Sequence, residues 1–145
     1  SIEQPVKPGQ IKQLAEICKA SPVPVALDEE LIGIEDIRQR RELLEYVRPA
    51  YIILKPGLLG GFASCETWIS LAVESGTGWW VTSALESNIG LNAIAQWVAT
   101  LDNKMVHGLG TGQLYENNVP SPLSIKNNRI SYLPDDKWDL SRILI

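Results

Sequence analysis

The sequence predicts an α/β fold in which short parallel strands alternate with longer helices. Two observations point there. Brief β-rich runs are separated by stretches whose apolar residues recur at helical spacing. The polar residues that close those runs, Glu3, Asp28, Lys55, Ser83 and His107, lie 25, 27, 28 and 24 positions apart. Such spacings match one strand–loop–helix–loop unit. Five units of this kind fit either a doubly wound sheet or part of a (β/α)8 barrel. The Gly-x-Gly-x-x-Gly fingerprint that would favour a dinucleotide-binding sheet is absent.

Taken in order, Ser1–Glu3 is strand-like and is followed by a helix opened by Pro8, with Ile11, Leu14, Ala15 and Cys18 on one face. Val23–Asp28 is too short and too apolar for a surface helix and reads as a buried parallel strand. A helix is expected from Ile34 to Val47, then a β-branched run at Tyr51–Lys55. Gly60 and Gly61 precede a helix bearing Phe62, Cys65, Trp68, Ile69 and Ala72. Trp79–Ser83 is the next strand, with one of the adjacent Trp79 and Trp80 turned to the helices and the other away. A helix with Leu91, Ile94, Ala95, Val98 and Leu101 follows, and Met105–Gly108 is read as the last core strand. The pattern changes after Gly112: residues 113–123 are loop-like, and Ser124–Tyr132 reads as a hairpin turning on Asn127–Asn128. The expected division is therefore 1–112 and 113–145.

Composition narrows the function. A net charge of −4 lacks the basic stripe that nucleic acid calls for. No apolar run approaches the about 20 residues of a membrane span. The first ten residues, SIEQPVKPGQ, lack the basic and apolar regions of a signal peptide. Cys18 and Cys65 fall inside apolar helical patterns and read as buried free thiols, so a reducing, cytoplasmic location is expected. A single histidine leaves no zinc-type spacing.

Glu3, Asp28 and Lys55 close three successive strands, and in a barrel that end carries the active site. Two carboxylates there form a hard-oxygen site suited to Mg²⁺. A neighbouring ammonium would balance negative charge developing on a substrate, as on an enolate. Taken singly, each has a plainer reading. Glu3 could be a solvated loop residue, the Asp28–Glu30 run a helix N-terminal charge cluster, and Lys55 a turn lysine. Their joint spacing favours the site. As a strand-end polar residue, Lys55 is expected to matter to activity more than to stability.

The motifs IEQP, ALDEEL and IILKPGLLGGF resemble consecutive strand-end motifs of the muconate-lactonising branch of the enolase superfamily. That superfamily is itself a standard example of a Lys or His base working with Mg²⁺. The stretch VTSALESNIGLNAIAQW, residues 81–97, is similar to the Ser-x-x-Glu-Ser loop and helix of o-succinylbenzoate synthases. The resemblance implies the C-terminal part of a (β/α)8 (TIM-type) barrel, about strands four to eight, and a tail that packs on an N-terminal capping domain. It implies Glu3 and Asp28 as ligands of Mg²⁺ (or Mn²⁺), Glu29 as their support, and Lys55 as one of two catalytic lysines. Ser83, Glu86, Ser87, Gly108 and Gly110 would line the substrate, with N–H groups near Ser87 and Asn88 receiving a carboxylate. Ser87 or Asn88 could equally serve as a helix N-cap, worth about 1 kcal/mol.

The activity so implied is a lyase reaction, Mg²⁺-dependent dehydration of 2-succinyl-6-hydroxy-2,4-cyclohexadiene-1-carboxylate to o-succinylbenzoate, a step in menaquinone biosynthesis. N-acylamino acid racemisation or dipeptide epimerisation is the alternative within the superfamily, although the Asp-x-Asp usual in the epimerases is absent here. From another class, the chain would be a catalytically silent association module. The family's Lys-x-Lys base and first metal-binding Asp are expected before Ser1, in an N-terminal portion of the same enzyme, so these 145 residues are expected to be inactive alone. The expected partners are a small carboxylate substrate and that N-terminal portion, with self-association left open.

Overall fold

The computed structural model describes residues 1–110, 114–141 and 143. They form two compact units, Ser1–Val81 and Thr82–Ile145.

In the first unit β1 (Ile2–Glu3), β2 (Val25–Leu27), β3 (Tyr51–Leu54) and β4 (Gly78–Val81) form a parallel sheet in the order β1-β2-β3-β4. Helices α1 (Ile11–Ala20), α2 (Ile37–Val47) and α3 (Phe62–Ser75) connect them. Each strand lies beside its successor in sequence. A barrel is laid down in this way, whereas a doubly wound sheet reverses its strand order at a switch point. The fold is a partial barrel of βα units.

The central strands are buried on both faces, as parallel strands covered by helices usually are. Leu27, Ile52, Leu54 and Val81 are completely buried, as are Leu14 and Trp68 from the helices. Trp79 shares the parity of Ile52 and is buried, while Trp80 is half-buried, its ring centroid 5.4 Å from that of Tyr51. Local chemistry sets the helix ends. The Asp36 carboxylate accepts from the backbone N–H groups of Arg38 and Gln39 to start α2, and Gly76, at φ 72°, closes α3. Between α2 and α3 lies a buried arginine. Arg40 donates to the Ile34 carbonyl at 2.8 Å and to the Ser64 carbonyl and hydroxyl at 3.0 and 2.7 Å. Its guanidinium carbon stands 5.0 Å from the ring centroid of Trp68. Both cysteines are free thiols, Cys65 buried and Cys18 half-buried. Burial pushes the Cys65 thiol up to about 12, which makes it a poor nucleophile.

The second unit holds α4 (Asn88–Ala99) and an antiparallel hairpin of β5 (Leu123–Lys126) and β6 (Arg129–Tyr132). Asn127 and Asn128 both take positive φ, 51° and 58°, as a two-residue type I′ turn requires. One expectation fails here. The segment 104–108 is not a strand; at Gly108 it forms an isolated parallel bridge with Thr82. Two causes are visible. The Asn103 side chain takes the Met105 N–H at 2.9 Å, competing with ladder pairing, and Val106 is 89% exposed, so no apolar face drives burial. The division expected after Gly112 falls at residues 111–113, outside the described residues. Among the described residues no helix is long and apolar enough to cross a membrane.

Candidate active site

The register of the sheet decides which strand-end side chains can meet. Glu3 pairs with Ala26, two residues before Asp28, and Ala26 pairs with Tyr51, four residues before Lys55. Side chains alternate across a strand, so Glu3, Asp28 and Lys55 have one parity, opposite to that of buried Leu27, Ile52 and Leu54. All three stand at the C-terminal ends of their strands.

Asp28 and Lys55 are in direct contact. The Lys55 ammonium donates to Asp28 Oδ2, the lysine side chain being 21% exposed and the aspartate 9%. So little water screens this pair that the attraction between its charges exceeds that of a pair on an open surface. Glu3 is exposed at the end of β1. Among the described residues no group of three or more His, Cys, Asp or Glu side chains is placed to hold a metal ion. Glu3 and Asp28 are nevertheless hard carboxylate donors of the type Mg²⁺ prefers, and in donor chemistry they suit that cation.

Behind Asp28 lies a polar network that the sequence did not disclose. After Leu27 the chain turns through a short 3-10 segment, Glu29–Leu31. Glu29 is exposed, and it is Glu30 that is buried. The Glu30 carboxylate accepts from the Gly9 N–H at 3.0 and 3.2 Å and from Gln4 Nε2 at 3.3 Å. Gln4 Oε1 in turn accepts from the backbone N–H groups of Asp28 and Glu30, at 3.1 and 3.2 Å. Two adjacent glutamates look alike in a sequence; only the direction of the turn chooses between them.

The remaining residues lie in the second unit. Ser83 is buried, and its N–H donates to the Gly108 carbonyl at 3.0 Å. A side chain at Gly108 would strike Thr82, since an added Cβ lies 2.8 Å from Thr82 Cγ2, whereas the space at Gly110 is open. Glu86 folds back so that Oε2 accepts from the Ala84 N–H at 2.7 Å, while Oε1 is buried with no hydrogen-bond partner among the described residues. Gly90 permits that fold, because an added Cβ would lie 2.9 Å from Glu86 Cβ. Leu85, before it, is held at φ 66°, and its carbonyl accepts from the Tyr115 hydroxyl at 2.5 Å. Ser87 occupies the N-cap position of α4 but makes no side-chain cap bond. The Asn88 N–H, expected to face a ligand, is taken by Asn118 Oδ1 at 2.9 Å. His107 is half-buried, and desolvation holds its pKa below the usual histidine value.

Known proteins resemble this chain in sequence and in fold. The chain matches the enolase C-terminal domain-like family over residues 1–136. It is 57% identical over 125 residues to the o-succinylbenzoate synthase of Desulfotalea psychrophila, which covers 86% of this chain and 34% of that protein. The o-succinylbenzoate synthase of Yersinia pseudotuberculosis is 34% identical over 73 residues, half of this chain and 23% of that one. Among solved structures, MenC from Desulfotalea psychrophila superposes with a TM-score of 0.86 at 54% identity, over 90% of this chain and 36% of that one. Muconate lactonizing enzyme from Pseudomonas fluorescens, at 22% identity, shares the fold with a TM-score of 0.82 over 98% of this chain and 39% of that one. The chain thus spans about a third of the length of the first of these relatives. Family match, sequence identity and fold agree, and the chain belongs to the enolase C-terminal domain-like family.

Proposed function

We propose that this chain is the C-terminal barrel portion of an o-succinylbenzoate synthase, a lyase that dehydrates 2-succinyl-6-hydroxy-2,4-cyclohexadiene-1-carboxylate. The observation that carries this reading is the Lys55–Asp28 ion pair at the ends of adjacent parallel strands, in a chain so like the Desulfotalea enzyme. Glu3 and Asp28 would hold a divalent cation, Mg²⁺ or Mn²⁺. When bound, that cation supplies Lewis-acid stabilisation of charge on the substrate carboxylate.

Lys55 would add a second positive charge beside the cation. A base removes the proton α to the carboxylate, and the electron pair moves toward the carboxylate oxygens. Lys55, anchored by Asp28, presents a fixed positive charge to that developing anion and needs no reorganisation as the charge appears. Loss of hydroxide from the neighbouring ring carbon then gives the aromatic product. The base must lie within hydrogen-bond reach on the opposite face of the substrate. The chain contains no Lys-x-Lys, so we assign the base, and the third metal ligand, to an N-terminal portion outside these residues. Ser83, Glu86, Ser87, Gly108 and Gly110 are assigned to the substrate side, and the tail 113–145 to contact with that portion.

The test is an assay that follows appearance of the aromatic product. The purified chain should be silent alone and active when joined to or mixed with the N-terminal part of the Desulfotalea relative. An N-acylamino acid assayed in parallel reads the racemase activity. Robust turnover by these 145 residues alone would sink the assignment of the base.

A further inference from the structure

Gln4 occupies a position where its backbone is out of place. It precedes Pro5, and a residue before proline ordinarily lies in the extended region. Gln4 instead has φ 35°, a conformation that residues with a side chain rarely adopt. Strain of this kind persists only where surrounding bonds over-determine it.

Four such bonds are present, and they use the whole side-chain amide. Oε1 accepts two backbone N–H groups, those of Asp28 and Glu30. Nε2 donates to the Val6 carbonyl at 3.0 Å and to Glu30 Oε2. Two donors meet one end and two acceptors the other, so the amide has a single satisfactory orientation. Its own N–H donates to the Ala26 carbonyl at 2.9 Å, which extends the β1–β2 ladder by one step. The positive φ then turns the side chain back over the end of β2. Glu30 is the second anchor, tying Gly9 and Gln4 together from a buried position. Without Gln4, the first backbone N–H beyond β2 would lose its partner, just where the chain delivers the Asp28 carboxylate.

We propose that Gln4, anchored by Glu30, is a positioning residue: its amide fixes the backbone of Asp28 and so the carboxylate that holds Lys55. This rests on the reading of Asp28 and Lys55 as parts of the active site, but the clamp can be tested apart from that reading. Gln4→Met, near-isosteric, removes both ends of the amide. Its amide hydrogen exchange at Asp28 and Glu30 should accelerate at least about tenfold, while Ile52 and Ile53 in the sheet keep their protection. The side-chain ¹⁵N resonance of Lys55 should shift as its partner moves. Glu30→Gln, which can still accept from Gly9 and Gln4, should keep exchange at Asp28 within a few-fold of the parent, and Glu30→Ala should not.

In the active, reconstituted enzyme, Gln4→Met should raise the Mn²⁺ concentration giving half-maximal rate by about tenfold, a factor equivalent to 1.4 kcal/mol of lost cation affinity. Unchanged exchange at Asp28 in folded Gln4→Met overturns the proposal. So does faster exchange with no change in the Lys55 resonance. If reconstituted parent protein shows no metal-dependent turnover, the functional reading fails, while the exchange and resonance data still judge the clamp.

Discussion

The parallel sheet of Ser1–Val81 and the hairpin of Thr82–Ile145 are both built from strands of at most four residues, yet they are specified by opposite means. In β2 and β3 nearly every residue is buried. In β5 and β6 none is. The parallel strands are held in register by burial, because a slip of one residue would carry Asp28 and Lys55 to the face now filled by Leu27, Ile52 and Leu54. The hairpin is held by its turn, since two positive-φ asparagines leave one register available. A region fixed by its interior can carry strained or charged residues at its ends, as Gln4, Asp28 and Lys55 do. A region fixed by its turn has no such reserve.

The sharpest way to break this contrast is Lys55→Ala in the reconstituted enzyme. Turnover should fall by about 10²–10³-fold, the scale of losing one preorganised stabilising group at the reacting centre. The sequence alone suggested little cost in stability, and the ion pair revises that: Asp28 would be left with a buried, unpaired charge. Unfolding stability should drop by about 1–3 kcal/mol. The double variant Lys55→Ala/Asp28→Asn should recover most of that stability and none of the activity. Denaturant melts beside the product assay separate the two losses.

Next in size is Trp68→Ala, which empties the space of the largest completely buried side chain. About 3–5 kcal/mol should be lost. The loss should extend across Ser1–Val81, because Trp68 also supports Arg40; amide exchange in β2 and β3 reports it. The smallest effect is expected in the hairpin. Asn128→Val places a β-branched residue at positive φ and should cost about 1–2 kcal/mol locally, whereas Asn128→Gly should be close to neutral. Chemical shifts of Leu123–Tyr132 would change while those of β2 and β3 stay put. A global loss of stability from Asn128→Val would show that turn and sheet are not separately specified.

Much of this was legible from the chain. Asp28 and Lys55 were readable because each closes an apolar run one βα unit after the last, and the hairpin because two adjacent asparagines tolerate positive φ. What escaped was whatever depends on direction rather than period. Gln4 looks like a loop residue until its φ angle turns the amide over β2. Glu30 cannot be told from Glu29, and Arg40 sits in a helix whose charge pattern looks solvated. Met105–Gly108 has the composition of a strand, yet Asn103 diverts its first N–H. The Asn88 N–H at the start of α4 meets Asn118, thirty residues on, which no local pattern announces.

The Arg40 joint also carries a thermal signature. The hydration a buried guanidinium gives up becomes less favourable as temperature rises, so keeping that charge inside costs progressively less. The apolar contacts around Trp68 plateau over the same range. On warming, the fastening between α2 and α3 therefore shifts toward the arginine and away from the greasy surface around it. A chain with methionine at position 40 would match the parent most nearly in the cold and fall behind it with every degree of heating.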